Sequence, residues 1–309
     1  MDHADADANV DAPTDVDASP DADTHADIDV TAVFERVTHP TRLDVLQALA
    51  DAHADAPTDP WLAYTDLKDA VDARDNGNFN YHLDALDDLV VSADAGYRLS
   101  RVGMELLTTA ASGVLDTDWT WGPRDAPGTC PFCDDPLQFH YTDGKLRVTC
   151  GTDEHAMALA APPSLLQTTP ESELVDNVAF LGYQWSHSIR QGICADCHGH
   201  VTGELEHGGL QPDHHHYRAN CQRCGYQHGV PLGLHLLTHP TVTHFHHDHG
   251  TDPRTTPWWT LDWTTPGTET TLQTNPLELG VDVELDDDTL TLTIEHDGTI
   301  TTTDRTRAE

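Results

Sequence analysis

The chain has 309 residues, of which 53 are acidic and 15 are basic, so its formal net charge is −38. Such a balance can mean disorder or nucleic-acid mimicry, because self-repulsion opposes compaction. The hydrophobic share of 38% and a regular apolar periodicity instead favour a folded protein adapted to concentrated salt, where the Debye length falls to ~3 Å and repulsion is screened. No apolar run approaches the ~20 residues that a membrane span needs, which argues against a membrane protein.

The N-terminal segment alternates Asp, Ala and Val, with neither a basic start nor an apolar core. A secretory signal requires both features, so we expect a cytoplasmic protein. Runs of like charge without apolar periodicity are typical of solvated tails. Residues 1–30 are therefore predicted to form an acidic disordered arm.

Residues 34–103 have the pattern of a winged helix-turn-helix. Thr41 and Asp44 form a capping box for a first helix, and Thr65 is predicted to cap a short second one. The apolar residues of the first helix recur at helical spacing: Leu43, Leu46 and Leu49. A third helix after a glycine turn has a predicted inner face of Phe79, Leu83, Leu86 and Val90. A hairpin over residues 90–99 is the predicted wing, and Ser100 is predicted to cap a closing helix.

The first turns of the third helix are the part that would enter a major groove. Their polar side chains, with one arginine from the hairpin, are the candidate DNA contacts: Arg74, Asn76, Asn78, Asn80, Tyr81, His82 and Arg98. Acidic residues at 84, 87 and 88 weaken nonspecific attraction to phosphates, so specificity is expected to depend on hydrogen bonds to base edges. A winged helix used for protein interaction or dimerisation is the alternative.

Three segments make the resemblance to a known family specific: His39-Pro40-Thr41-Arg42-Leu43, Asn78-Phe79-Asn80-Tyr81-His82-Leu83 and Gly96-Tyr97-Arg98-Leu99-Ser100. Residues 34–110 resemble the ArsR-type winged helix-turn-helix of archaeal transcriptional regulators. The rest of the chain, with its cysteine pairs and tryptophan-rich C-terminal region, is similar to a group of such regulators in halophilic archaea. The resemblance implies binding to double-stranded DNA and control of transcription.

All seven cysteines lie between residues 130 and 224. In a reducing compartment, paired cysteines are metal ligands more often than disulfides. Two pairs joined by a hairpin-length segment predict a closed tetrahedral thiolate site for structural zinc: Cys194, Cys197, Cys221 and Cys224. A redox dithiol is the competing interpretation.

The first cysteine cluster is incomplete, with Cys130, Cys133 and Cys150 as its thiols. Where the resembling proteins would have a fourth cysteine, this chain has Asp153, followed by His155. His155 is the better partner for thiolates on zinc, but ligation by Asp153 and complete loss of the metal remain open. The expected cofactor is one or two structural Zn²⁺ per chain.

Residues His244-Phe245-His246-His247-Asp248-His249 match H-x-H-x-D-H, a signature of metallo-β-lactamase-fold hydrolases. In that family the histidines and Asp bind a zinc pair that activates water. The flanking residues instead have the spacing of two short helices that end at Gly250. Because the chain has 22 histidines, chance clustering is common, and we expect a structural role and no enzyme.

A long helix and a strand region complete the predicted elements. Residues 171–189 form an amphipathic pattern, which is more often core or a dimer seam than a ligand site. From Trp258 onward, alternation with period two predicts strands at residues 258–263, 277–279, 281–285 and 290–294. Trp258, Trp259 and Trp263 are expected in the core of this sheet, with an aromatic effector pocket as the alternative.

The predicted fold class is thus α+β and multidomain: an N-terminal winged helix-turn-helix and a zinc-ribbon-like, β-rich C-terminal region with an intervening helix. The predicted units are an acidic arm (1–30), a DNA-binding domain (31–115), a first, degenerate zinc ribbon (127–162), a connecting helix (170–192) and a second zinc ribbon with the C-terminal sheet (193–300). We expect a salt-adapted, sequence-specific DNA-binding regulator that forms a homodimer. A winged-helix adaptor of the transcription machinery is the main alternative, and a zinc hydrolase is the weaker one.

Overall fold

A computed structural model describes residues 30–35, 37–152, 155, 157–208, 214–264 and 267–307. All but the last residue of the predicted acidic arm lie outside this part of the chain. Within it, the elements form a mixed α+β fold with helices and several antiparallel sheets. No helix in the described ranges is both long and apolar enough to cross a membrane.

The described part of the N-terminal unit has five helices and one hairpin: α1 (Val30–Glu35), α2 (Pro40–Asp55), α3 (Tyr64–Ala70), α4 (Asn76–Asp84), β1 (Val90–Ala93), β2 (Gly96–Leu99) and α5 (Arg101–Ala111). Its own buried cluster includes Val45 from α2, Leu67 from α3 and Phe79 from α4, each 0% exposed. Leu62 pairs with Tyr97 through two backbone hydrogen bonds of 2.9 Å, which tie the chain before α3 to the hairpin. These helices therefore pack on one another through their apolar faces.

Gly96 permits this pairing. Its φ is 122°, and a Cβ at this position would lie 2.2 Å from the carbonyl oxygen of Leu62. Only glycine combines a positive φ with so close a backbone approach. The hairpin turn is therefore fixed by both backbone conformation and contact.

Two helix starts differ from the sequence prediction. Helix α2 begins at Pro40, and His39 Nδ1 accepts a hydrogen bond from the Thr41 N–H at 3.2 Å. Proline at the first helical position is already set to the helical φ and has no N–H to satisfy, so Thr41 is inside the helix and is not its cap. Helix α3 begins at Tyr64, one residue before the predicted cap Thr65.

Some of the other N-terminal predictions are confirmed and others are wrong. Ser100 caps α5 as predicted, with its Oγ accepting from the Gly103 N–H at 3.1 Å. Of the three leucines at helical spacing in α2, Leu49 is buried, whereas Leu43 is 50% exposed. Helix α4 ends at Asp84, so the buried residues Leu86 and Val90 lie in the following turn and strand. Burial was predicted correctly there, but helix length was not.

The described residues of the C-terminal region form three sheets. The first has the order β3-β4-β5-β6, the second β7-β8-β9 and the third β10-β11-β12-β13, each antiparallel throughout. Their strands are β3 (Trp121–Thr129), β4 (Pro136–Thr142), β5 (Lys145–Thr149), β6 (Met157–Leu159), β7 (Val201–His207), β8 (His215–Cys221), β9 (Gln227–Pro231), β10 (Thr270–Thr274), β11 (Leu277–Leu285), β12 (Asp288–Glu295) and β13 (Ile300–Arg307).

Four helices join these sheets: α6 (Pro163–Thr168), α7 (Leu174–Arg190), α8 (Leu232–Leu237) and α9 (Pro240–Asp248). One buried cluster runs through all three sheets and includes Val178 of α7 and Leu234 of α8, both 0% exposed. The second and third sheets are also joined directly, since the Leu205 N–H donates to the His296 carbonyl at 2.6 Å. The described residues between 130 and 300 therefore share one hydrophobic core.

The predicted strand over residues 258–263 is wrong. Residues Trp258–Thr260 and Asp262–Thr264 form two 3₁₀ turns. Thr264 Oγ1 donates to the Trp258 carbonyl at 2.5 Å, which closes the segment on itself in place of a ladder partner. Trp258, Trp259 and Trp263 are nevertheless buried in the core, as expected.

Candidate metal centres and candidate nucleic-acid interface

Three Cys-x-x-Cys segments share one local structure. In each, the N–H of the first cysteine donates to the carbonyl five residues later, at 2.8 Å for Cys130, 2.8 Å for Cys194 and 3.0 Å for Cys221. The residue after the second cysteine has a positive φ: Asp134 (59°), His198 (60°) and Gly225 (72°). This turn directs both thiols of a pair and nearby N–H groups towards one point, which is how a metal knuckle is built.

The second cluster brings two such knuckles together. The Sγ atoms of Cys194 and Cys224 lie 3.9 Å apart, and those of Cys197 and Cys221 lie 3.5 Å apart. A tetrahedral ion with sulfur ligands at about 2.3 Å places the sulfurs roughly 3.8 Å apart. All four thiols are unpaired and lie together as one group that could hold a metal ion. The donor set and its spacing therefore fit a closed four-thiolate site.

The structure adds a histidine that the sequence reasoning missed. His228 Nε2 lies 3.3 Å from Cys194 Sγ and 3.8 Å from an Asp196 carboxylate oxygen, and His228 is 1% exposed. These three residues form a further group that could hold a metal ion. A histidine four residues after Cys224, on the strand that follows the knuckle, was the available signal. His228 is placed to donate a hydrogen bond to the Cys194 sulfur.

The first cluster joins three thiols and one imidazole. His155 Nδ1 lies 3.5 Å from the sulfurs of both Cys130 and Cys150, and Cys133 Sγ lies 3.6 Å from Cys150 Sγ. A tetrahedral zinc with ligands at about 2.3 Å (sulfur) and about 2.0 Å (nitrogen) spaces these atoms roughly 3.5 Å apart. The group could hold a metal ion. Of the two proposed fourth ligands, His155 is in place, and Asp153 lies outside the described residues.

Because the thiols lie close together, their pKa values differ widely within each cluster. Burial raises the pKa of Cys150, but hydrogen bonds from the backbone and from His155 outweigh it and lower that pKa to about 6. For Cys133 a backbone hydrogen bond lowers the pKa, but burial and the neighbouring thiols have the larger effect and raise the pKa to about 12. In the second cluster, hydrogen bonds from the backbone and from neighbouring thiols lower the pKa of Cys221 to about 6 against the effect of burial. Burial and neighbouring thiols raise the pKa of Cys224 to about 12. Each cluster therefore pairs an acidic thiol with one that keeps its proton until a cation binds, so both donor sets suit a bound metal.

The histidine motif of α9 does not converge on one point. His246 is buried with its Nδ1 3.0 Å from Thr251 Oγ1, whereas the His244 side chain is 77% exposed. Asp248 pairs with Arg305 at 2.6 Å, and His249 contacts the carboxylates of Asp286 and Asp288 in the β11–β12 hairpin. Among the described residues, the groups that could hold a metal include none of these four. The predicted pair of short helices is confirmed, with α9 ending before Gly250.

Helix α4 presents most of the candidate DNA contacts on its exposed surface. Asp75 caps the helix, with its Oδ1 accepting from the Asn78 N–H at 2.6 Å. Tyr81 is 63% exposed. The other exposed candidates are Arg74, Asn76, Asn78 and Asn80. Asn80 also accepts a hydrogen bond from the Tyr64 hydroxyl at 2.8 Å, so its amide is partly engaged within the protein.

Two candidates lie elsewhere than expected. His82 is only 4% exposed, and its ring packs on His39 with 3.9 Å between centroids. It lies on the same side of α4 as Phe79 and Leu83, so it is removed from the DNA-facing set. Arg98, on β2, is half-buried and lies over the Trp61 ring at 4.9 Å. Helical phase explains the error, because residue 82 follows Phe79 by three positions.

Comparison with known families gives two matches. Residues 30–110 match a family model described as a domain of unknown function, DUF7347, and residues 127–300 match another, DUF7351. No curated protein and no solved structure shows a significant match. The second match covers more than half of the 309 residues. The chain belongs to the DUF7351 family.

Proposed function

We propose that residues 31–115 form an ArsR-type winged helix-turn-helix that binds double-stranded DNA sequence-specifically, which makes the chain a cytoplasmic transcriptional regulator. The observation that carries the proposal is the polar exposed surface of α4, behind which Phe79 and Leu83 are buried. In helix-turn-helix proteins the N-terminal turns of the second helix contact base edges. Helix α3, the turn before Asn76, helix α4 and the β1–β2 hairpin occur in the required order.

The chemistry of this surface favours base recognition over phosphate attraction. Asparagine amides can bond two edges of adenine at once, and an aromatic residue can contact a thymine methyl. Asn76, Asn78 and Tyr81 are free to do this on the exposed surface. The exposed carboxylates of Asp84 and Asp87 oppose a nonspecific electrostatic grip. In concentrated salt the counterion-release term is small in any case.

Zinc is the metal we assign to both cysteine clusters. Four thiolates, or three thiolates with one imidazole, form donor sets that zinc prefers. Closed coordination supplies folding free energy and leaves no open position for substrate. In this chain a metal bound at each cluster would hold the knuckles in place against the sheets of the C-terminal core. The proposed role of the metal is therefore structural.

The DNA proposal is tested with the full chain in molar KCl. Selection from randomised duplexes should yield one enriched sequence, and Asn78→Ala and Tyr81→Ala should each weaken its binding by about 1–3 kcal/mol. Gln47→Ala is the matched control, since it removes an exposed amide from α2. A folded protein that enriches no sequence would refute the proposal.

An adaptor of the transcription machinery is the second candidate. Exposed apolar side chains in this unit favour an interface with protein: Phe34 (52%), Leu43 (50%), Val102 (57%), Val114 (50%) and Leu115 (68%). The same side chains suit the proposed homodimer, which light scattering in high salt would detect. Under the adaptor hypothesis, Asn78→Ala leaves chromosomal occupancy unchanged, whereas DNA recognition requires that occupancy to collapse.

A further inference from the structure

A cavity of about 390 Å³ lies where the first sheet meets the second and third. Small-molecule sites typically enclose roughly 300–1,000 Å³ and have mostly apolar walls. Aromatic and aliphatic side chains form most of this wall, among them Phe132, Met157, Trp185, Leu234, Trp258 and Trp263. The cavity is therefore large enough, and apolar enough, to hold the hydrocarbon body of a small ligand.

The charges at this cavity are opposite to those of the chain. Lys145 and Arg147 lie two positions apart on β5, and both line it. Lys145 is one of only two lysines in a protein of net charge −38. Among the described residues, neither cationic side chain has a hydrogen bond or ion pair, whereas several other arginines of the C-terminal region pair with carboxylates. Lys145 is exposed to solvent, but Arg147 is half-buried. An unpaired, half-buried guanidinium beside an apolar cavity indicates an anionic partner.

The described lining contains one carboxylate, and its oxygens are already engaged. Glu269 accepts from His215 Nδ1 at 2.8 Å, from the His215 N–H at 3.2 Å and from the Gly267 N–H at 2.9 Å. Burial would raise the pKa of Glu269, but these hydrogen bonds outweigh it and hold the pKa below its ordinary value. Because Glu269 is paired with His215 and Gly267, it does not pair with Lys145 or Arg147, and both cations can bind a ligand.

We propose that this cavity binds a small amphipathic monocarboxylate. Its hydrocarbon body lies against Trp185, Trp258 and Trp263, and its carboxylate pairs with Arg147 and Lys145. A planar guanidinium matches a carboxylate through two parallel hydrogen bonds. A cationic ligand would meet like charges, and a purely polar ligand would leave the indole and leucine surfaces without contacts. This binding requires neither DNA nor an operator sequence.

Naphthalene-1-acetate, decanoate and the cation 1-naphthylmethylamine are suitable probes for the full chain in molar KCl. Calorimetry should give one site per chain for the acids, with affinity about tenfold or more above that of the amine. Three tryptophans line the cavity, so acid binding should also change their fluorescence. DNA affinity is measured in a separate experiment, so the carboxylate proposal and the DNA proposal can each fail independently of the other.

Two variants and one control locate the site. Arg147→Met keeps the unbranched stem and should weaken acid binding about tenfold without affecting the amine. Ala158→Trp, at an exposed position of the lining on the edge strand β6, should block the cavity and abolish acid binding. Arg101→Met removes a cation from α5, far along the chain in the N-terminal unit, and should change nothing. Equal affinity for acid and amine, unchanged binding by Arg147→Met, or no binding of either acid would overturn the proposal.

Discussion

The imidazole rings of His39 and His82 stack with their centroids 3.9 Å apart and their planes at 28°. His39 also caps α2, so this contact joins the start of α2 to α4. Burial lowers the pKa of His82, and the positive charges of His39 and Arg42 lower it further. His82 is therefore a neutral core residue at neutral pH, and a hydrogen bond from it to DNA would require the helix to leave its packing.

His82→Ala should accordingly lower the free energy of unfolding. Truncation of a buried ring leaves a cavity, which typically costs about 2 kcal/mol or more. Denaturant unfolding of the full chain in high salt measures this loss. Asn78→Ala, at an exposed position of the same helix, is the control and should leave the stability unchanged. A loss of DNA affinity at constant stability would instead restore His82 to the DNA-facing surface.

Gly103→Ala should destabilise the N-terminal unit, although alanine normally favours a helix interior by about 1 kcal/mol. A Cβ at Gly103 would lie 2.2 Å from the carbonyl oxygen of Leu89, a backbone atom that cannot move aside. We expect a loss of about 2 kcal/mol or more, measured by the unfolding midpoint.

Gly77→Ala is the matched control for that variant. Gly77 is also helical, but its Cβ would meet only the end of the Asp75 side chain, at 3.3 Å. A neutral or slightly stabilising effect is expected there. Equal effects of the two substitutions would show that helix propensity, and not contact with Leu89, controls stability at position 103.

Elemental analysis of the purified chain should find two zinc ions. Cys150→Ser and Cys194→Ser should each remove one, because each breaks a different donor set. A single ion in the parent, kept in Cys150→Ser and lost in Cys194→Ser, would show that the first cluster does not hold metal. Three or more ions would point back to the histidines of α9.

His228→Phe should weaken metal binding at the second cluster about 10–100-fold, the typical effect of losing a hydrogen bond to a metal ligand. The 3.3 Å approach of Nε2 to Cys194 Sγ is the physical reason. Competition with a chromophoric chelator measures the affinity. Tyr226→Phe, which keeps the ring that packs on His228, should bind metal like the parent, and an unchanged affinity in His228→Phe would contradict this role.

Acid should destabilise the C-terminal core through two buried histidines. Burial is the largest cause that lowers the pKa of His235 and of His246 to about 4, from an ordinary value of 6.5. Between pH 6.5 and about 4 the unfolded chain binds more protons, so stability present above pH 6.5 is lost as pH falls. At pH 5 each histidine should cost about 2 kcal/mol relative to pH 7.

Denaturant unfolding at pH 7 and pH 5 tests this dependence. His235→Phe keeps an aromatic ring against Tyr217, whose centroid lies 4.2 Å away, and should reduce the loss between pH 7 and pH 5 by about 2 kcal/mol. Metal release adds equally to the pH dependence of both proteins, so their difference isolates His235. Identical pH dependence in the parent and the variant would contradict the prediction.

Several local features followed from the sequence because short-range chemistry determines them. Ser100 caps α5, Gly250 follows the end of α9, and the Cys-x-x-Cys pairs at 130, 194 and 221 form knuckles. Each depends on residues within one turn of chain, where spacing and residue type suffice. The core positions of the tryptophans followed for a similar reason, since large apolar side chains are buried in whatever backbone they occupy.

Long-range packing decided the rest. The phase of α4 places His82 inside against His39, and the return of β9 beside the second cluster brings His228 to Cys194. The meeting of three sheets encloses a cavity next to Lys145 and Arg147. These contacts join residues distant in sequence, so their geometry depends on how whole elements pack. The sequence by itself determined the knuckles, caps and apolar faces, whereas tertiary structure decided which polar side chains became buried, paired or free to bind.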